Sequence, residues 1–124
     1  VKQNQTDSRI LSEVVVQGML ERKAQNIVVL DLREVKNAVS DYFIICTGTS
    51  DTQVDSITDS IEEEVVKQTG QNPRSREGKL NKEWILLDYV DVVAHVFKAE
   101  RRAFYALEEL WGDAKIQTIN ESAA

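Results

Sequence analysis

The side chains able to do covalent or metal chemistry are few. His95 is the only histidine and Cys46 the only cysteine. A Cys–His nucleophile pair needs the two within hydrogen-bond reach and a third group to orient the base. Both residues instead stand inside apolar runs, as ordinary sheet positions do. One histidine and one cysteine also fall short of the three or four ligands of a zinc site. Carboxylates are more plentiful. Asp51, Asp55 and Asp59 recur at four-residue steps and join Glu62 and Glu63 on one helical face. The plain reading is a solvated acidic stripe. A docking face for a basic partner is the alternative, since like charges so aligned repel until neutralised. Gly48-Thr49-Ser50 precedes that helix, where backbone donors attract anions. No GKS/T loop or GxGxxG accompanies it, and the aspartates beyond would repel a phosphate. A turn with a helix cap accounts for it.

A second constellation surrounds Asp91. A two-residue turn at Val90-Asp91 would pair Trp84 with Phe97, Leu86 with His95 and Asp88 with Val93 on one face. The opposite face would hold Ile85 with Val96, Leu87 with Ala94 and Tyr89 with Val92. The two-residue period of a strand forces this division, and a slip of one residue would invert it. The aliphatic face is the better core. The face of Trp84, Phe97, His95 and Asp88 mixes aromatics with polar tips, as the centre of a protein-binding surface does. Val90 is awkward in such a turn, which prefers Gly or Asn where φ is positive.

The elements that would position these residues can be read from periodicity. Ile10, Leu11, Val14, Val15, Met19 and Leu20 share one face of a helix predicted from about Asp7 to Ala24, with Asp7 or Ser8 as cap and Gly18 marking close packing. Ile27–Leu32 and Tyr42–Thr47 read as strands covered on both faces, separated by a polar loop from Arg33 to Asp41. Ser50 and Gln53 have capping-box spacing ahead of a helix carrying Val54, Ile57, Ile61 and Val65 until Gly70. Arg74 to Lys82 reads as a charged, extended connection. Trp84–Tyr89 and Val92–Phe97 are two more strands. A third helix spans about Glu100 to Trp111, and residues after Ala114 read as a frayed tail. The fold class is α/β (α+β), a mixed sheet of four to five strands with three helices. The domain covers residues 7–112, between a disordered N-terminus (1–6) and a C-terminal tail (113–124).

The chain has 124 residues, 42% hydrophobic and 29% charged, a soluble-globular composition that excludes disordered and collagen-like classes. Runs such as Ile27–Leu30 and Phe43–Cys46 are far short of the roughly 20 residues of a membrane-spanning helix. The net charge of -6 opposes direct gripping of a nucleic-acid backbone, which calls for a basic field. Docking on a basic protein component of a ribonucleoprotein remains compatible with it. A single cysteine and no apolar leader in Val1–Gln5 point to a reducing cytoplasm.

Six blocks in order resemble the ribosomal silencing factor family (RsfS, or Iojap-like). They are Val29–Leu32, Ser40–Ser50, Glu77-Gly78, Trp84–Tyr89, His95–Phe97 and Phe104–Trp111. The resemblance covers the chain from the first helix to Trp111. It implies a nucleotidyltransferase-like core without catalytic acids, no cofactor and no enzymatic activity. It also implies a translation repressor that binds large-subunit ribosomal protein fourteen on the face that meets the small subunit. Bound there, it would block joining by occupying space. Two departures stand out: Val90 replaces the family's usual Gly, and Ala94 a larger aliphatic.

With the pairing scheme, the resemblance selects Trp84 as the apolar anchor, flanked by Leu86 and Phe97. Asp88, Glu77 and His95 would supply polar contacts, and Arg102 with Tyr105 a flank from the last helix. Two alternatives belong to other classes. One is a nucleotidyl- or phosphoryl-transferase using Asp51, Asp55 and a divalent metal. The other is a homodimeric adaptor pairing through the aromatic face.

Overall fold

The chain turns its periodic segments into two helices and six strands in a computed structural model that describes residues 7–99 and 114–119. Helix α1 (Ser8–Glu21) starts where the Asp7 carboxylate accepts from the Arg9 N–H, satisfying one of the orphan donors of a first turn. Strands β1 (Gln25–Asp31) and β2 (Tyr42–Gly48) follow. Helix α2 (Asp51–Thr69) begins at the Ser50 hydroxyl, which accepts from Gln53 N at 3.1 Å, and stops at left-handed Gly70. The Gln53 amide oxygen reaches one residue further back than a standard box, to Thr49 N (2.6 Å). Strands β3 (Ser75–Glu77), β4 (Trp84–Asp88), β5 (Val92–Lys98) and β6 (Lys115–Thr118) complete the described elements.

The strands form one mixed sheet in the order β3-β4-β5-β2-β1-β6. Only β2 and β5 pair in parallel; the other neighbours are antiparallel. The chain leaves β2 through α2 and returns at β5 only after laying β3 and β4 along the far edge. The predicted count of four to five strands is therefore corrected to six among the described residues. Both additions have a common physical origin. β3 and β6 are short edge strands, with β6 exposed along its whole length. Backbone bonds to β4 and β1 hold them rather than buried side chains, so no apolar alternation marks them. Residues 115–118, read from sequence as part of a tail, are paired to β1. The third helix, with Arg102 and Tyr105, and the N-terminal six residues lie outside the described residues.

Both helices cover one face of the sheet. Val14, Val15 and Met19 of α1 and Val54, Ile57, Ile61 and Val65 of α2 pack on Ile27, Val29, Ile44, Cys46, Ile85, Leu87, Ala94 and Val96. The helices approach closely at Gly18, where an added Cβ would lie 2.8 Å from Ile61 Cα. The Ser60 hydroxyl donates to the Gly18 carbonyl at 2.8 Å, tying the helices at that crossing. The β4–β5 register is the one alternation demanded: Trp84 faces Phe97, Leu86 faces His95 and Asp88 faces Val93.

Candidate protein-docking site

That register sends Trp84, Leu86 and Asp88 from β4, with His95 and Phe97 from β5, to the sheet face away from α1 and α2. Trp84 Nε1 donates to His95 Nδ1 at 3.0 Å. Its indole stacks on Phe97 at 5.1 Å between centroids, while Phe43 meets the His95 ring edge-on at 4.7 Å. Because Nδ1 accepts, the neutral ring carries its proton on Nε2. That atom is buried and has no hydrogen-bond partner among the described residues. Burial pushes the His95 pKa down to about 4, since desolvation disfavours the imidazolium.

Direct contact by Phe97 and His95 needs correction. Phe97 is 1% exposed and His95 2%. Val28 and Leu30 of β1 and Phe43 and Ile45 of β2 extend the same apolar layer, so the two side chains lie inside it. They support the surface rather than form it. Trp84 and Leu86 stay half-buried, with one side toward solvent, and Glu77 on β3 is exposed.

Beside Leu86 lies a groove of about 370 Å³ floored by Phe43, Val93 and His95 and rimmed by Val39, Val90, Glu77 and the Arg74–Asp88 pair. Asp88 Oδ2 accepts from Arg74 at 2.6 Å, and Oδ1 accepts from Val90 N at 2.7 Å. Its carboxylate therefore holds the rim together. Val90 has φ 79° and is the centre of a γ-turn in which Asp91 N donates to Tyr89 O at 3.0 Å. A β-branched residue in that region costs on the order of 1–3 kcal/mol. The surroundings impose it: Ser40 Oγ donates to Val90 O at 2.8 Å, and Asp41 N to Asp91 O at 2.7 Å. Val90 is recognisable from sequence as a poor turn residue, whereas Val39 and Arg74 are not among the residues that sequence singles out. A lone aliphatic in a polar loop carries no signal of its own.

The other candidates resolve differently. Cys46 packs under the helices while His95 faces the opposite side of the sheet, so the two cannot form a catalytic pair. Most of the acidic face of α2 is paired within the chain, Glu63 remaining exposed. Asp51 pairs with Lys98 (2.9 Å), Asp55 with Lys82 (2.8 Å), and Asp59 with Lys79 (3.9 Å). Glu62 takes both arms of Arg76, at 2.7 and 2.9 Å. The stretch from Arg76 to Lys82 thus straps across the helix and engages Asp55, Asp59 and Glu62, which disfavours the acidic stripe as a docking face. A cleft of about 410 Å³ between α1, β1 and β6 contains Arg9, Asp31, Arg33 and Lys115. Its charges are spent on neighbours, Arg33 on Asp31 (2.9 Å) and Arg9 on Glu13 (3.2 Å).

A family model described as "Ribosomal silencing factor during starvation" matches residues 5–124. The chain belongs to the RsfS family. It is 38% identical over 100 residues to ribosomal silencing factor RsfS of Bacillus subtilis, covering 81% of this chain and 83% of that one. It is 40% identical over 94 residues to the chloroplastic protein Iojap of Zea mays, covering 76% of this chain and 40% of the maize protein. Among solved structures, a Chromobacterium violaceum protein superposes with a TM-score of 0.79 at 29% identity, over 86% of this chain and 88% of that one. One from Bacillus halodurans gives 0.74 at 32% identity, over 90% and 98%. RsfS membership accounts for the α+β fold with its mixed sheet and identifies a ribosomal silencing factor. Among the described residues no helix is long and apolar enough to cross a membrane.

Proposed function

We propose that this RsfS-family chain binds large-subunit ribosomal protein fourteen and blocks subunit joining by occupying the space the small subunit needs. It works without a cofactor, in the cytoplasm, with little direct contact to nucleic acid. The observation that carries this reading is the fixed, half-exposed Trp84–Leu86 strip beside an acid-rimmed groove. An aromatic anchor held in one rotamer loses little side-chain entropy on binding, which is the advantage of preorganisation. Trp84 is the anchor and Leu86 its neighbour. Glu77 and Asp88 set the charge of the rim. His95 and Phe97 hold the indole from behind. Arg102 and Tyr105 are retained as a flank on the strength of the family resemblance.

The transferase alternative is weaker, because Asp51 and Asp55 are engaged by Lys98 and Lys82. Co-sedimentation with isolated large subunits tests the docking reading. Trp84→Ala should lower affinity by about 30-fold, the loss of a central aromatic anchor, while the protein stays folded at room temperature. A folded variant that binds like the parent would remove Trp84 from the site.

A further inference from the structure

The rim of the groove contains two features that the anchor strip does not explain. Val39 is 83% exposed and Val90 46% exposed, and both line the same groove. They belong to different segments, the β1–β2 loop and the β4–β5 turn. These are stapled to each other by Ser40 Oγ to Val90 O and by Asp41 N and Tyr42 N to Asp91 O. The apolar pair is therefore rigid, although each half sits in a loop. The backbone strain at Val90 brings no fold benefit that a glycine would not supply better, since glycine adopts positive φ freely. What valine adds at that point is an apolar side chain facing outward.

We propose that Val39 and Val90 form a second contact point that receives an aliphatic side chain on a basic segment of the large-subunit protein. This rests on the docking reading above and adds residues that set which segment fits. Charge complementarity selects the occupant. Glu77 lines the same groove and Asp91 follows Val90 in the turn; neither enters an ion pair among the described residues. Asp88 carries a further negative charge, and Arg74 is the one cation lining the groove among the described residues. An apolar knuckle in an acidic surround favours a partner with the converse pattern, an apolar side chain flanked by Lys or Arg.

The test compares the parent protein, Val39→Ser and Val90→Gly for binding to isolated large subunits and for thermal unfolding of each protein alone. Val90→Gly should unfold at a higher temperature, because the positive φ no longer strains the turn. Val39→Ser should unfold at the parental temperature. Both should bind about ten-fold more weakly. Separation of stability from affinity is the signature of a contact residue. Parental affinity in both variants, with the parent binding normally, overturns the inference and leaves the docking reading standing. Failure of the parent itself to bind overturns both. A shift in the monomer–dimer balance of the free protein at unchanged subunit affinity would instead assign the knuckle to a second copy, and so also overturns the inference.

Discussion

His95 shows how much one buried side chain can do within a sheet face. It accepts the Trp84 indole proton, separates Phe43 from Phe97, and stays neutral because burial holds its pKa near 4 against an ordinary 6.5. Between those values the unfolded chain takes up a proton that the folded chain refuses. Stability from this residue is therefore complete above about pH 6.5 and drains away as the pH falls towards 4, about 2 kcal/mol being lost by pH 5. Denaturant unfolding at pH 7 and pH 5 should show that loss in the parent and not in His95→Asn, which keeps an acceptor near the indole but cannot titrate in this range. Equal losses in both proteins would place the titrating group elsewhere. At this scale the sequence was legible where alternation governs. Trp84, Leu86 and Asp88 share a face because every second residue must, and the register follows from the turn length. Burial of Phe97 and His95 was not legible, because it depends on Val28, Leu30, Phe43 and Ile45 sharing that face from strands far along the chain.

At the scale of elements, two contacts organise the molecule. The α1–α2 crossing is set by Gly18, whose missing Cβ lets Ile61 backbone approach. Gly18→Ala should therefore destabilise by about 1–3 kcal/mol in spite of alanine's better helix propensity, since backbone cannot step aside as a side-chain tip would. A denaturant midpoint at or above the parental value would contradict the close-packed crossing. The second contact is the ion-paired strap from Arg76 to Lys82 over α2. Such pairs near the surface are each worth at most about 1 kcal/mol. Asp55→Asn with Asp59→Asn should accordingly shift stability only slightly and leave large-subunit binding unchanged. Marked loss of binding would restore the acidic face as a docking surface. The paired acids also explain a limit of reading sequence. The four-residue spacing placed the carboxylates on one face correctly. The cations that neutralise them come from a segment without apolar periodicity, whose path is set by the short strand β3 and the turn at Gly78, where a Cβ would collide with the Trp84 carbonyl.

For the whole molecule, function follows from shape and charge. A net charge of -6 favours basic protein surfaces over exposed phosphate, and that long-range part of any attraction weakens as salt screens it. On the proposed reading, docking through one sheet face would leave α1 and α2, on the other side of the sheet, as the bulk that excludes a second subunit. Steric exclusion of the proposed kind requires only occupancy and calls for no catalytic group. The decisive measurement is subunit joining with purified small and large subunits as the protein is added up to saturation. The joined fraction should fall in step with occupancy of the large subunit, and Trp84→Ala should shift the curve to higher concentration. Undiminished joining on large subunits fully occupied by the protein would contradict steric exclusion.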